Sequence, residues 1–154
     1  MKFSSQEEYG LRCLLQVARV NHGSITIPEI ARLEGLTEAY VGKLLMVLRR
    51  ADFINSTRGH SGGYTLGRDA REIAVSEVLA SLGGRLIDDD FCARHSGAQG
   101  VCAHKGDCSV RWVWNKVQAS VDSALAGITL HDILVGEEPL IQVQIDRSME
   151  EASA

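Results

Sequence analysis

Between Thr26 and Leu66 the hydrophobic period switches from 3.6 residues to 2, and the punctuation around that switch leaves few folds open. Thr26-Ile-Pro-Glu29 is a capping box with proline in the first turn, so a short helix opens there and runs to Leu33, and Gly35 ends it. Thr37 caps a longer helix over 37–50, whose Val41, Leu44, Leu45 and Leu48 make one apolar face. After Asp52, FINSTRG and GGYTLGR are rich in strand-forming residues and flank Gly59-His-Ser-Gly62-Gly63, the pattern of a β-hairpin. Upstream, Leu11, Leu14, Leu15 and Ala18 stripe a helix from Ser5 to Asn21, and Cys13, Val17 and Val20 add a second stripe.

Helix–turn–helix followed at once by a hairpin is the order of a winged helix, an architecture that reads DNA. The expected fold is mainly α with a small β-hairpin wing, the DNA-binding unit spanning 1–84. Val75–Leu82 predicts a short helix, and a cysteine-bearing loop occupies 85–108. Val110, Val113, Trp114, Val117, Val121 and Leu125 then keep the helical period. Thr129-Leu-His-Asp132 is another capping box and opens a terminal helix. The long helix lies outside the winged-helix core and is apolar enough to need a partner. We read 109–136 as a dimerisation helix with its terminal helix, the alternative being a helix folded back on its own domain. Residues 137–154 read as a polar, acidic, disordered tail.

A chain of 154 residues is long enough to bury a real core. MKFSSQEEYG carries acids where an export signal needs an apolar stretch, and no run is long enough to span a membrane. The expected location is the cytoplasm, where clustered cysteines serve as metal ligands or redox thiols more often than as disulfides. Net charge is −4, yet 37–71 holds Lys43, Arg49, Arg50, Arg58, Arg68 and Arg71 against Glu38, Asp52 and Asp69. A window of +3 on an acidic chain points one face at an anion; the plain alternative is a solvated surface.

On the helix over 37–50, Glu38, Ala39, Gly42, Lys43 and Met46 fall away from the buried stripe. A mid-helix glycine costs about 1 kcal/mol relative to alanine, and close backbone approach to a groove or phosphate is one way to offset it. Lys43 is placed to reach a guanine edge or a phosphate. Arg58 leads into the wing turn that holds Gly59 and His60, and an arginine there suits a narrow minor groove. The candidate DNA-binding residues are Thr37, Glu38, Ala39, Tyr40, Gly42, Lys43, Arg49, Arg58, Gly59 and His60. The glycines lack the Gly-Lys-Ser/Thr of a phosphate loop, so no nucleotide is expected.

CARHSGAQGVCAHKGDC, residues 92–108, sets nine residues between Cys92 and Cys102 and five between Cys102 and Cys108. Thiolates are soft ligands for zinc or iron–sulfur clusters. Zinc knuckles bring cysteines in pairs two to four apart, and no such pair exists here. Wide spacing in a glycine-rich loop favours an iron–sulfur cluster; zinc with His95 or His104, and redox-sensing thiols, remain open. A thiol enzyme built on Cys102 and His104 lacks a recognisable oxyanion hole or third orienting group. Cys13 reads as a small core residue. Trp114 belongs to the apolar stripe, core or dimer seam, whereas Trp112 faces elsewhere, as a shield over the cysteines or an interface aromatic.

EYGLRCLLQVA, RGHSGGYTLGRDAREIAVSEVLASLGG, and the three cysteines followed by VRWVWNKV and ITLHDIL resemble the IscR/NsrR type of winged-helix regulator, the Rrf2 family, over roughly 1–135. The resemblance implies a homodimeric transcription factor, not an enzyme, binding a palindromic operator in double-stranded DNA. It also implies sensing of redox state, nitric oxide or iron–sulfur status through a cluster on Cys92, Cys102 and Cys108, a 2Fe–2S form being favoured over 4Fe–4S. The first cysteine gap is longer than the one common in the family. Members with a histidine ligand place it three residues after the last cysteine, where this chain has Arg111. Others use an acidic residue near the start of the first helix, donated by the partner subunit, and Glu8 occupies the matching place. His104, His95, water or a small thiol are the alternatives. Ser5-Gln-Glu-Glu8 as a capping box also accounts for that glutamate.

Overall fold

The computed structural model describes residues 3–20, 23–59, 62–85, 87, 91–102, 104 and 108–136; His60 and the tail over 137–154 lie outside them. Helices α1 (Ser5–Arg19), α2 (Ile27–Glu34) and α3 (Glu38–Arg50) precede a two-stranded antiparallel hairpin of β1 (Ile54–Thr57) and β2 (Gly63–Leu66). Ile54 pairs with Leu66 and Thr57 with Gly63. Then come α4 (Val75–Gly83), the short α5 (Phe91–Arg94), the long α6 (Ser109–Leu125) and a terminal helical segment over 130–136. The architecture is a mainly α winged helix-turn-helix followed by a long helix. No helix among the described residues is long and apolar enough to cross a membrane.

Local signals explain most boundaries. The Glu29 carboxylate accepts from the Thr26 N–H and hydroxyl at 2.8 and 2.7 Å, and Asp132 does the same for Thr129 at 2.8 and 2.7 Å. Those hydroxyls hold both carboxyls below their ordinary range. Gly35 ends α2 at φ 66°, the left-handed cap that glycine adopts without strain. The first cap differs from expectation: Ser4, not Ser5, is the N-cap, and Glu7, not Glu8, completes the box. Glu7 also lies where a Cβ on Gly83 would sit, so α4 helps to select it.

The core is the side of the helix-turn-helix that faces away from solvent. Leu14, Ile30, Leu44, Leu45, Leu48, Phe53 and Ile54 are buried there, each worth about 1.5–3 kcal/mol. Gly10 lets α4 approach α1, for a Cβ on it would come within 2.4 Å of Leu82 Cδ2. Two long-range pairings lie beyond the sequence reading. Ile25 and Tyr64 exchange backbone hydrogen bonds at 3.1 and 2.8 Å, attaching the α1–α2 connection to the wing. After α6 the chain returns: Leu130 N–H donates to Ile73 O at 2.9 Å, and Leu130 is fully buried in the first-half core.

Candidate functional site: a cysteine-lined cavity beside a winged helix

Cys92, Cys102 and Cys108 line one cavity of about 510 Å³, together with His104, Arg111, Trp112 and Asn115. Cys92 sits on α5, a helical turn where the sequence suggested plain loop. Cys108 is the N-cap of α6, and its Sγ accepts from the Arg111 N–H at 3.4 Å. The Arg111 guanidinium reaches across to Cys92, Nη1 to Sγ 3.3 Å. None of the three thiols is fully exposed or fully buried. Among the described residues no three of His, Cys, Asp and Glu converge tightly enough to hold a single metal ion.

The histidine candidates separate. His104 lines the cavity, whereas His95 stacks on Phe91, ring centroids 4.3 Å apart, with Nδ1 2.8 Å from Phe91 O. Glu8 does not line the cavity; its side chain is 61% exposed on α1 and lies 3.9 Å from Arg12. Trp112 lines the cavity while staying 64% exposed, with Lys116 Nζ 5.7 Å from its ring centre. Trp114 is 44% exposed and therefore not core in the single chain, and Val110 and Val113 on the same helix are exposed too. Gln118, the buried residue of α6, accepts from Ile87 N–H at 3.3 Å and donates to Asp122 at 2.8 Å; Asp122 pairs with Arg85. This polar chain ties the segment leading to Cys92 onto α6. Cys13 is fully buried, and burial, helped by Glu34, pushes its thiol up to about 12.

The DNA-facing candidates also separate. Thr37, Glu38, Ala39 and Lys43 are exposed on α3, as are Arg58 and Gly59 at the wing. The Thr37 hydroxyl accepts from Tyr40 N–H at 3.3 Å and so serves the cap. Tyr40 packs edge-on against Tyr9, 6.1 Å between centroids, which makes it a brace between α3 and α1. Arg49 donates to the Ser56 hydroxyl at 3.3 Å, joining α3 to β1. Gly42 has no crowding to justify it: an added Cβ would meet only Ile27 Cδ1, at 3.8 Å. The basic patch shrinks on folding, because Arg68 pairs with Glu77 at 2.9 Å and Arg71 with Asp69 at 3.8 Å. His60 lies outside the described residues.

Arg111 and Asn115 line the cavity, which spacing alone did not reveal. Arg111 was visible only as the residue three places after the last cysteine; its reach to Cys92 depends on how α5 packs.

Residues 3–136 match the Rrf2 family, described as an iron-dependent transcriptional regulator. The chain is 30% identical to the HTH-type transcriptional regulator IscR of Xenorhabdus nematophila over 142 residues, covering 91% of this chain and 83% of the relative. Its namesake in Sodalis glossinidius is 31% identical over the same length, 91% and 82% of the two chains. Among solved structures, T. potens IscR superimposes with a TM-score of 0.71 at 31% identity, covering 91% of this chain and 90% of that one. CymR, the global cysteine regulator of B. subtilis, gives 0.64 at 26%, covering 86% and 95%. With that match running through both the winged helix and the cysteine-bearing segment, the chain belongs to the Rrf2 family and is a DNA-binding transcriptional regulator, not an enzyme.

Proposed function

We propose that this chain is a homodimeric regulator whose hold on a palindromic operator is set by an iron–sulfur cluster on Cys92, Cys102 and Cys108, with Glu8 of the partner subunit as fourth ligand. The observation that carries the reading is the cavity: three sulfurs are arrayed around about 510 Å³ at the start of α6, a soft donor set with room for a multi-atom cluster. When bound, such a cluster supplies a centre that reacts with oxidants or nitric oxide.

The protein's own parts supply the rest. Cys92 anchors the group to α5 and Cys108 to the cap of α6, so holding both sulfurs fixes the segment between them. Exposed Val110, Val113 and Trp114 give α6 an apolar face for a second copy. Glu8, exposed and outside the first cap, suits a ligand offered to that copy. His104 is the in-chain alternative. Freeing the 92–108 segment then alters how two copies of α3 are spaced, which must be about 34 Å or a multiple for successive major grooves. On α3, Glu38, Ala39, Gly42 and Lys43 face the groove with Arg49 at the far end, and Arg58, Gly59 and His60 form the wing contact. Thr37 and Tyr40 set the start of the helix. The units are 1–84 for DNA, 85–108 for the cluster and 109–136 for the dimerisation helix with its terminal helix, the latter packed back on the first-half core through Leu130, in a protein of the cytoplasm.

The test is anaerobic purification followed by a visible spectrum and assays for iron, sulfide and zinc. Absorption between about 300 and 500 nm with matched iron and sulfide is the expected result. A colourless protein containing zinc defeats the sensor reading and leaves a DNA-binding protein with a structural clasp.

A further inference from the structure

The cysteine cavity is lined by more than sulfur. Arg111, in the first turn of α6, addresses two of the three thiols at once: its guanidinium lies 3.3 Å from Cys92 Sγ, and its N–H donates to Cys108 Sγ at 3.4 Å. Those sulfurs stand on different elements, α5 and the cap of α6. Among the described residues that line the cavity, Arg111 is the only lysine or arginine. Of the other cations among the described residues, Lys116 lies over the Trp112 ring and Arg85 pairs with Asp122.

We infer that Arg111 tunes the reduction potential of the proposed cluster, raising it by donating hydrogen bonds to its sulfur ligands and setting a permanent positive charge beside it. The inference rests on the cluster reading above. Reduction adds one electron to a group that thiolate ligands already make anionic. A fixed cation favours the reduced form more than the oxidised one, and hydrogen bonds that draw density from ligating sulfur act in the same direction. A guanidinium suits the position because it stays charged and its planar fork keeps its direction, whereas an ammonium keeps only the charge.

The test is a mediated redox titration with dithionite as electron donor, followed by visible absorbance, on the full-length protein and on Arg111→Gln and Arg111→Lys. Iron and sulfide are assayed in each sample first. Arg111→Gln should load the cluster and show a reduced-to-oxidised ratio about tenfold lower at a given potential, about 59 mV for a one-electron couple. Arg111→Lys should recover most of that shift. If only Arg111→Lys loads, its midpoint decides: a value close to the parent's supports the inference, and one well below it overturns the inference. A loaded Arg111→Gln with the parent midpoint overturns the inference and leaves the cluster reading standing. So does failure of Arg111→Lys to load alongside Arg111→Gln, since the cavity would then need the shape of arginine and not its charge. A parent protein without iron and sulfide overturns both.

Discussion

The Glu7 carboxylate accepts from the Ser4 N–H at 2.7 Å, and the side chain of its neighbour Glu8 takes no part in that cap. Substitution therefore separates the two adjacent glutamates. Glu7→Ala should lower stability by about 1 kcal/mol, the usual cost of losing one half of a cap, and thermal melting measures it. Glu8→Ala should melt within about 0.5 kcal/mol of the parent, as exposed substitutions do, yet lose visible absorption in air severalfold faster. Equal cluster lifetimes would remove Glu8 as a ligand and move the fourth position to His104.

Gly42 yields a prediction with opposite signs in two assays. Nothing lies nearer than 3.8 Å to an added Cβ, so Gly42→Ala should stabilise the fold by about 1 kcal/mol through helix propensity. The same methyl should weaken binding to a palindromic duplex, because it pushes the backbone of α3 away from the DNA. Greater stability with unchanged fluorescence anisotropy titrations would show that α3 does not approach DNA at this point.

For Lys43 and Arg58, unlike Gly42, the proposed contact is one of charge. Lys43→Ala should weaken binding and, if Lys43 meets a phosphate, flatten the dependence of log K on log salt by about 1. Arg58→Ala should weaken binding at physiological salt, most of all on sites whose flanks have a narrow minor groove. An Arg58→Ala protein that binds such sites as the parent does would take the wing out of the contact.

Cys13 should behave unlike the other three cysteines. Burial holds its thiol at about 12, so in native, iron-free protein near pH 8 iodoacetamide should modify at most three of the four cysteines. The fourth should react only on unfolding, which mass spectrometry can count. The unfolded thiol ionises near 9.0, well below the folded one, so this group favours unfolding as pH climbs from about 9 towards about 12. Cys13→Ala should flatten that stretch of the stability profile.

Gln118 links the segment before Cys92 to α6. Gln118→Ala leaves the Ile87 N–H without its acceptor at a cost of about 1 kcal/mol, and should raise amide exchange at Ile87 while leaving that of α1–α3 unchanged. Uniformly raised exchange would instead make Gln118 a general packing residue.

The parts of this fold legible in sequence are those whose causes lie within four residues. Thr26 with Glu29 and Thr129 with Asp132 satisfy their own helix starts, so spacing alone finds them. The run Ser4-Ser-Gln-Glu7-Glu8 contains two possible caps, and the choice falls to contacts with α4: Glu7 beneath Gly83 and Gln6 donating to Leu82 O. Ile25 with Tyr64, and Leu130 in the first-half core, are set by tertiary pairing across many residues. The site divides the same way. Three cysteines in one segment suggest a shared site, and all three line one cavity, but Arg111 reaching Cys92 across nineteen residues follows from the packing of α5, for which the sequence carries no periodic signal.

Gly10 has a mechanical consequence. With Leu82 filling the space a side chain would take, α1 cannot slide past α4 without a steric collision, because a close-packed contact yields little. The close contact favours movement of the two helices together. A helix the length of α1 spans about 22 Å, so a tilt of about five degrees at one end displaces the other by about 2 Å. If α1 and α4 move together, a displacement at the start of α1 reaches the far side of the DNA-reading unit through their packed contact at Gly10.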